Sequence, residues 1–226
     1  MQNDETKKRR ERRQTHQKLK SIRNEMESLQ KTSTEQLKRH LELFDDAVIA
    51  IIITVMVLEI PLPSAAVAYH DFIGSIFIFF ISFFVVANFW YENHQTMSFV
   101  RTVNKLYLVL NFLFLANLSL IPLLTKWIIH EHTHLAVAHM GIVYLIVNVI
   151  RALMAGVAYK QVFAKDNFSK HFFEWAMRTR LIAIFALNIV LIGVAFKWPN
   201  VAMLFYLTLP ILSFIVPARE MAEHER

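Results

Sequence analysis

The chain has 226 residues, 55% of them hydrophobic, with 19 phenylalanines and a mean hydropathy of +0.38; that is more apolar surface than one soluble core of this length buries, so a bilayer is its natural solvent. Four glycines and six prolines leave little material for a Gly-rich phosphate loop, no alternating strand pattern of a membrane barrel appears, and the lack of cysteine excludes disulfides, thiolate metal sites and cysteine nucleophiles. The net charge of +6 equals the balance of residues 1–40, which hold twelve Lys/Arg against six Asp/Glu; a basic tail beside apolar spans suits anionic lipid headgroups rather than nucleic acid.

The predicted class is all-α: a polytopic membrane protein of six transmembrane helices with both termini cytoplasmic. Residues 1–36 form its basic cytoplasmic segment, 37–218 the six-helix domain and 219–226 a cytoplasmic tail. The N-terminal polar region is too long for a secretory signal and no small-residue cleavage site follows the first apolar run. Within it Leu19, Ile22, Met26 and Leu29 repeat at spacings of three and four, a pattern that fits a self-associating helix and a solvated one equally. Thr32 and Glu35 stand in capping-box spacing, predicting a new helix from near Ser33 that runs into the first span.

Spans are sought as runs of about 20 residues that cross roughly 30 Å of hydrocarbon. The first, 41–60, is long enough only with Glu42, Asp45 and Asp46 counted inside it. Residues 72–91 and 106–125 are free of charge. The fourth span, 135–159, includes Arg151; the fifth and sixth, 181–196 and 201–216, flank Lys197-Trp198-Pro199-Asn200 as a tight hairpin. With this assignment 22 Lys/Arg lie on one side and only Lys126 and Lys197 on the other, which by the positive-inside rule puts both termini in the cytoplasm.

Ionisable groups inside a membrane helix usually face a bundle interior, a partner or an aqueous path, which makes Asp45 and Asp46 candidates for function; a helix entry at headgroup level, where acids suit the N-terminal end of the dipole, accounts for them as well. After them Val48–Ile60 is rich in β-branched residues and stops at Pro61.

The run from His40 through Phe44-Asp45-Asp46 and Ile51 to Pro61 resembles the first helix of the bacterial and lysosomal potassium channels of the transmembrane protein 175 family, which carries an Arg-x-x-x-Phe-Ser-Asp signature before an apolar stretch. Here His40 stands for the Arg and Asp45 for the Ser. Trp90, Asn93 and His94 are similar to the family's Trp-x-x-His-His segment, residues 111–122 resemble its third span, and the likeness follows all six spans in order. The resemblance implies a homotetramer in the cell (plasma) membrane, with potassium as permeant ion and no enzymatic activity, cofactor or metal. It also implies a leak-type pore lined by the first helix, narrowed by apolar side chains: Ile51, Val55 and Leu58, with Thr54 as a hydroxyl layer. No Thr-Val-Gly-Tyr-Gly run exists and no two glycines are adjacent, which excludes a carbonyl-ring filter of that kind.

Helical geometry allows this. On a helix turning about 100° per residue, with Ile51 as zero, Val55 lies at ~40°, Leu58 at ~−20°, Phe44 at ~20° and Ala47 at ~−40°, with Thr54 on the margin at ~−60°. Ordinary packing explains such a stripe as readily as a pore does, and the resemblance tips the reading to a pore. Asp45 and Asp46 fall at ~120° and ~220°, toward neighbouring helices. They are assigned, with His40, Phe44, Trp90, Asn93 and His94, to a structural or gating network.

Two other functions fit parts of the chain. A proton-coupled secondary transporter would use Asp45 and Asp46 and calls for inverted repeats and broken helices, and spans one to three show no convincing similarity to four to six. An intramembrane enzyme would use Asp45, Asp46 and His94, but adjacent carboxylates on a helix diverge by about 100° and chelate one ion poorly. His130, Glu131, His132 and His134 cluster before span four, where zinc binding, pH sensing and plain solvation are all open. Asn148, Arg151 and Asn188 read as interhelical hydrogen-bonding or snorkelling groups, and the basic and aromatic residues of 160–180 as an interfacial amphipathic segment.

Overall fold

The computed structural model describes residues 2–64, 68–131, 133–163, 167–206 and 208, and their side chains apart from those of 2–15, 27, 162–163, 167–174, 176–177 and 180. The chain divides into two compact units, residues 1–41 and 42–226, and no strand occurs among the described residues. The tail 219–226 and the last part of the sixth span lie outside the described residues, as do most side chains of the 160–180 segment.

The first unit is the N-terminal part of α1 (Gln2–Leu58). The helix start expected near Ser33 does not occur. Thr32 Oγ1 donates to its own helix at Ser28 O (3.0 Å) and Glu35 lies 4.0 Å from Lys31, one turn back, so the capping-box residues serve as mid-helix i,i+4 groups; with no Gly or Pro nearby, nothing breaks the helix. Leu19, Ile22, Met26 and Leu29 are exposed on it.

The second unit holds the rest of α1 with α2 (Tyr69–Ser98), α3 (Lys105–Leu118), α4 (Ile121–Glu131), α5 (His134–Phe163), α6 (Asn167–Lys197) and a helical stretch over 199–206. Each boundary has a local cause. Pro61 lies just past the end of α1, and the last amides close tight turns from Glu59 and Ile60 to Met56 and Val57. Asn104 Oδ1 caps α3 by accepting from Tyr107 N at 2.7 Å. The loop before α3 is held by Gln161, whose Oε1 accepts from the amides of Arg101 and Thr102 while its Nε2 donates to Thr102 O.

Among the described residues, three of the six expected spans are helical stretches long and apolar enough to cross a bilayer: Tyr69–Ser98, Lys105–Glu131 and His134–Gln161. The expected fifth span falls in α6, whose apolar part, Leu181–Lys197, is shorter. The third span is not the uninterrupted helix that its composition suggests. It turns at Ser119 and Leu120, because Pro122 has no amide for Leu118 O and its ring crowds that carbonyl. Ser119, at the turn, donates both its amide (2.9 Å) and its hydroxyl (2.8 Å) to Leu115 O, closing the last turn of α3.

α5 is the central element, packed against α2, α3, α4 and α6, and α2 also packs on α4. Aromatic rings fill the seams: Phe89 of α2 lies 6.4 Å from Phe114 and 5.0 Å from Tyr144, and Tyr144 lies 5.5 Å from Tyr206. Tyr206 requires a glycine beneath it, since a Cβ at Gly141 would run into the tyrosine hydroxyl. Gly141→Ala is expected to lower stability by about 1–2 kcal/mol, with Tyr206→Phe relieving most of the loss, as read from unfolding curves in detergent.

Candidate pore helix and its polar anchors

Within the second unit, the remainder of α1 has one buried face. Asp45, Ile49, Ile52 and Met56 are each under 5% exposed, and at about 100° per residue they share an arc between ~100° and ~160° from Ile51. Phe44, Ala47, Ile51, Thr54, Val55 and Leu58 are all exposed on the other side. Ile51 is 61% and Leu58 81% exposed, although both are large and apolar. The Thr54 hydroxyl donates to Ile51 O at 2.9 Å, so its hydrogen is committed to the helix and its oxygen is left to face outward.

The buried face is fastened by carboxylates. Asp45 Oδ2 accepts from Asn93 Nδ2 at 3.0 Å and Asp45 Oδ1 from Asn111 Nδ2 at 2.7 Å. Two helices, α2 and α3, thus converge on one acid of a third. Such charge-assisted bonds offset much of the cost of burying a carboxylate. Both amides must present nitrogen rather than oxygen to the acid, which leaves Asn93 Oδ1 and Asn111 Oδ1 buried without a partner among the described residues. Asp46, on the next helical position, accepts from Trp90 Nε1 at 2.8 Å, and the Trp90 ring stacks on His94 at 5.7 Å and 24°. Phe44 meets Phe112 edge to face at 5.9 Å.

The structure therefore brings Asp45, Asp46, Trp90, Asn93 and His94 to one crevice, which Glu42 and Met97 also line. His40 lies in the first unit with an exposed side chain. Asn111 was missed as a site residue. Its signal was an amide in the middle of the uncharged run 106–125, where a primary amide needs a partner. A second missed connection joins Glu92 Oε2 of α2 to Arg151 Nε of α5 at 3.0 Å, both nearly buried. Arg151 is thus an interhelical group as expected. Asn148 and Asn188 are corrected in part, because their amide nitrogens turn back onto their own helices at Tyr144 O and Ile184 O; a polar side chain one turn from a carbonyl reaches it with no partner helix. Near the loop cluster, Trp127 Nε1 donates to Glu131 Oε2 at 2.8 Å. No group of three or more His, Asp or Glu able to hold a metal ion occurs among the described residues, and His132 lies outside them.

These features define a helical membrane protein in which the C-terminal part of α1 is bound to its neighbours through Asp45 and Asp46 and leaves an apolar stripe exposed. A family model described as the endosomal/lysosomal potassium channel TMEM175 matches residues 40–122, which include all of these anchors. A potassium channel of Chryseobacterium sp. (strain P1-3) is 28% identical over 187 residues, covering 80% of this chain and 95% of the relative. A potassium channel of Streptomyces collinus (strain DSM 40733 / Tue 365) is 31% identical over 124 residues, 50% of this chain and 58% of that one. The crystal structure of a lysosomal potassium-selective channel TMEM175 homolog from Chamaesiphon minutus superposes with a TM-score of 0.55 at 20% identity, covering 77% of this chain and 98% of that one, and shows a common fold. The resemblance read from the first helix is thus met by a family-model match over residues 40–122, by similarity to two potassium channels and by a common fold.

Proposed function

We propose that the protein is a potassium-selective, leak-type channel, a homotetramer in the plasma membrane whose pore is lined by the membrane part of α1. The observation that carries this reading is the exposed apolar stripe of α1, opposite a face held by buried hydrogen bonds. A symmetric assembly that turns this stripe to its axis stacks rings of Ile51, Val55 and Leu58, with Thr54 supplying hydroxyl oxygens between them. An apolar ring of this kind gates by dewetting. Potassium is the permeant ion, no cofactor takes part, and the basic tail lies against anionic headgroups. Two relatives with most or part of this length are named potassium channels.

The test is reconstitution of the purified chain in liposomes or a planar bilayer, with reversal potentials measured across ion gradients. Passive potassium current that reverses near the potassium equilibrium potential is the expected result; saturable, gradient-coupled flux with no unitary current would sink the channel reading.

The interrupted third span favours a second reading, the proton-coupled transporter working through Asp45 and Asp46. Pro122 accounts for the interruption, however, and the turn at Ser119 begins about 12 Å along α3 from Asn111, the residue that meets Asp45. Both acids are also already engaged by amide and indole donors.

A further inference from the structure

The end of α1 near Leu58 has an anchor of its own. Glu59 Oε2 lies 2.9 Å from Lys126 Nζ, with the glutamate 25% and the lysine 48% exposed. One residue earlier, the buried Thr125 hydroxyl donates to Ser82 Oγ at 2.7 Å and lies 3.9 Å from Met56 Sδ. The two ends of the membrane part of α1 are thus attached to different halves of the interrupted third span. Asn111 and Phe112 of α3 hold the end near Asp45, Thr125 and Lys126 of α4 hold the end near Leu58, and the turn at Ser119 and Leu120 lies between. A continuous helix would move both ends together, whereas two half-helices allow each end its own position.

We propose that Lys126 is a positioning residue for the pore helix: by pairing with Glu59 its ammonium draws the C-terminal end of α1 against α4 and away from the pore axis, setting the width of the path at Leu58. This rests on the reading of α1 as the pore lining. The direction follows from the helix. Glu59 projects at ~80° from Ile51, beside the buried arc, whereas Leu58 projects at ~−20°. A pull on Glu59 toward α4 therefore retracts Leu58 from the axis, and a push advances it. Like charges at the pair would push.

The experiment uses the full chain in potassium-loaded liposomes and in planar bilayers, comparing wild type with K126R, K126E, E59K and the exchanged pair E59K/K126E. K126R is expected to keep potassium flux within about two-fold of wild type, since it preserves the charge. K126E and E59K are each expected to lower flux about five-fold or more, and the exchanged pair to return it to within about two-fold. Restoration by exchange shows that the pair, not the lysine alone, sets the flux, and a unitary conductance lowered in the single variants and restored in the exchanged pair is a result that a merely structural lysine, which would change only the number of folded channels, would not give. Flux in K126E equal to wild type, or an exchanged pair that folds yet stays as impaired as the single variants, overturns the role of Lys126 while the wild-type current leaves the pore reading standing. A wild type that carries no potassium current overturns both.

Discussion

Asp45→Ala is expected to destabilise the protein by about 3 kcal/mol, because it leaves the Asn93 and Asn111 amide donors buried with no acceptor and opens a void between three helices. Asp45→Asn keeps one acceptor oxygen in the same volume, and its new NH2 group can bond the partnerless oxygen of Asn93 or Asn111. Its cost is expected to be about 1 kcal/mol. Asp46→Asn is expected to cost less than 1 kcal/mol, since this acid is more exposed and keeps an oxygen to accept from Trp90 after the change. Unfolding followed by circular dichroism in detergent checks the order. An Asp45→Ala protein within 0.5 kcal/mol of wild type would mean that the three-helix junction does not hold α1; that threshold is about the spread of neutral surface changes.

Ile51→Asn is expected to raise the sodium-to-potassium permeability ratio on the order of ten-fold, because a polar ring keeps water at the narrowest point and relaxes the demand on the ion's hydration shell. Ile51 is 61% exposed in the single chain, so the substitution leaves the packing of the subunit nearly untouched and an altered ratio reports on the assembled pore. Ile51→Ala serves as the comparison, widening the ring without wetting it. Bi-ionic reversal potentials distinguish the two variants. If Ile51→Asn conducts with wild-type selectivity, Ile51 faces lipid and the constriction lies elsewhere.

What could be read in the sequence depended on whether a residue's role is local. The uncharged runs at 72–91 and 106–125 became helices because apolar content over that length leaves the backbone no better way to satisfy itself in lipid. The division of α1 into an apolar stripe and an acid-bearing face followed from helical periodicity, and buried Asp45 and exposed Ile51 lie on opposite sides as that arithmetic requires. Trp90 and Asn93 were within reach as partners because they are polar groups at the end of the next span. Asn111 escaped because its meeting with Asp45 depends on how α3 lies across α1, and Glu92 escaped because its partner Arg151 sits three helices further along the chain. The break at Ser119 had a visible cause in Pro122, yet hydropathy averages over that position. Thr32 and Glu35 misled for the opposite reason: a capping box marks a helix start only where something ends the preceding helix.

The junction at Asp45 is closed by groups of one chain. Asn93 and Asn111 at Asp45, and Trp90 at Asp46, belong to the same chain as the acids they hold, so the proposed assembly does not require one copy to borrow a donor from another to bury a charge. In the homotetramer proposed above, each subunit therefore completes its fold in the bilayer before it meets its neighbours. The later meeting brings together faces that offer mainly van der Waals contact in place of lipid, the second of two separable stages of membrane-protein assembly.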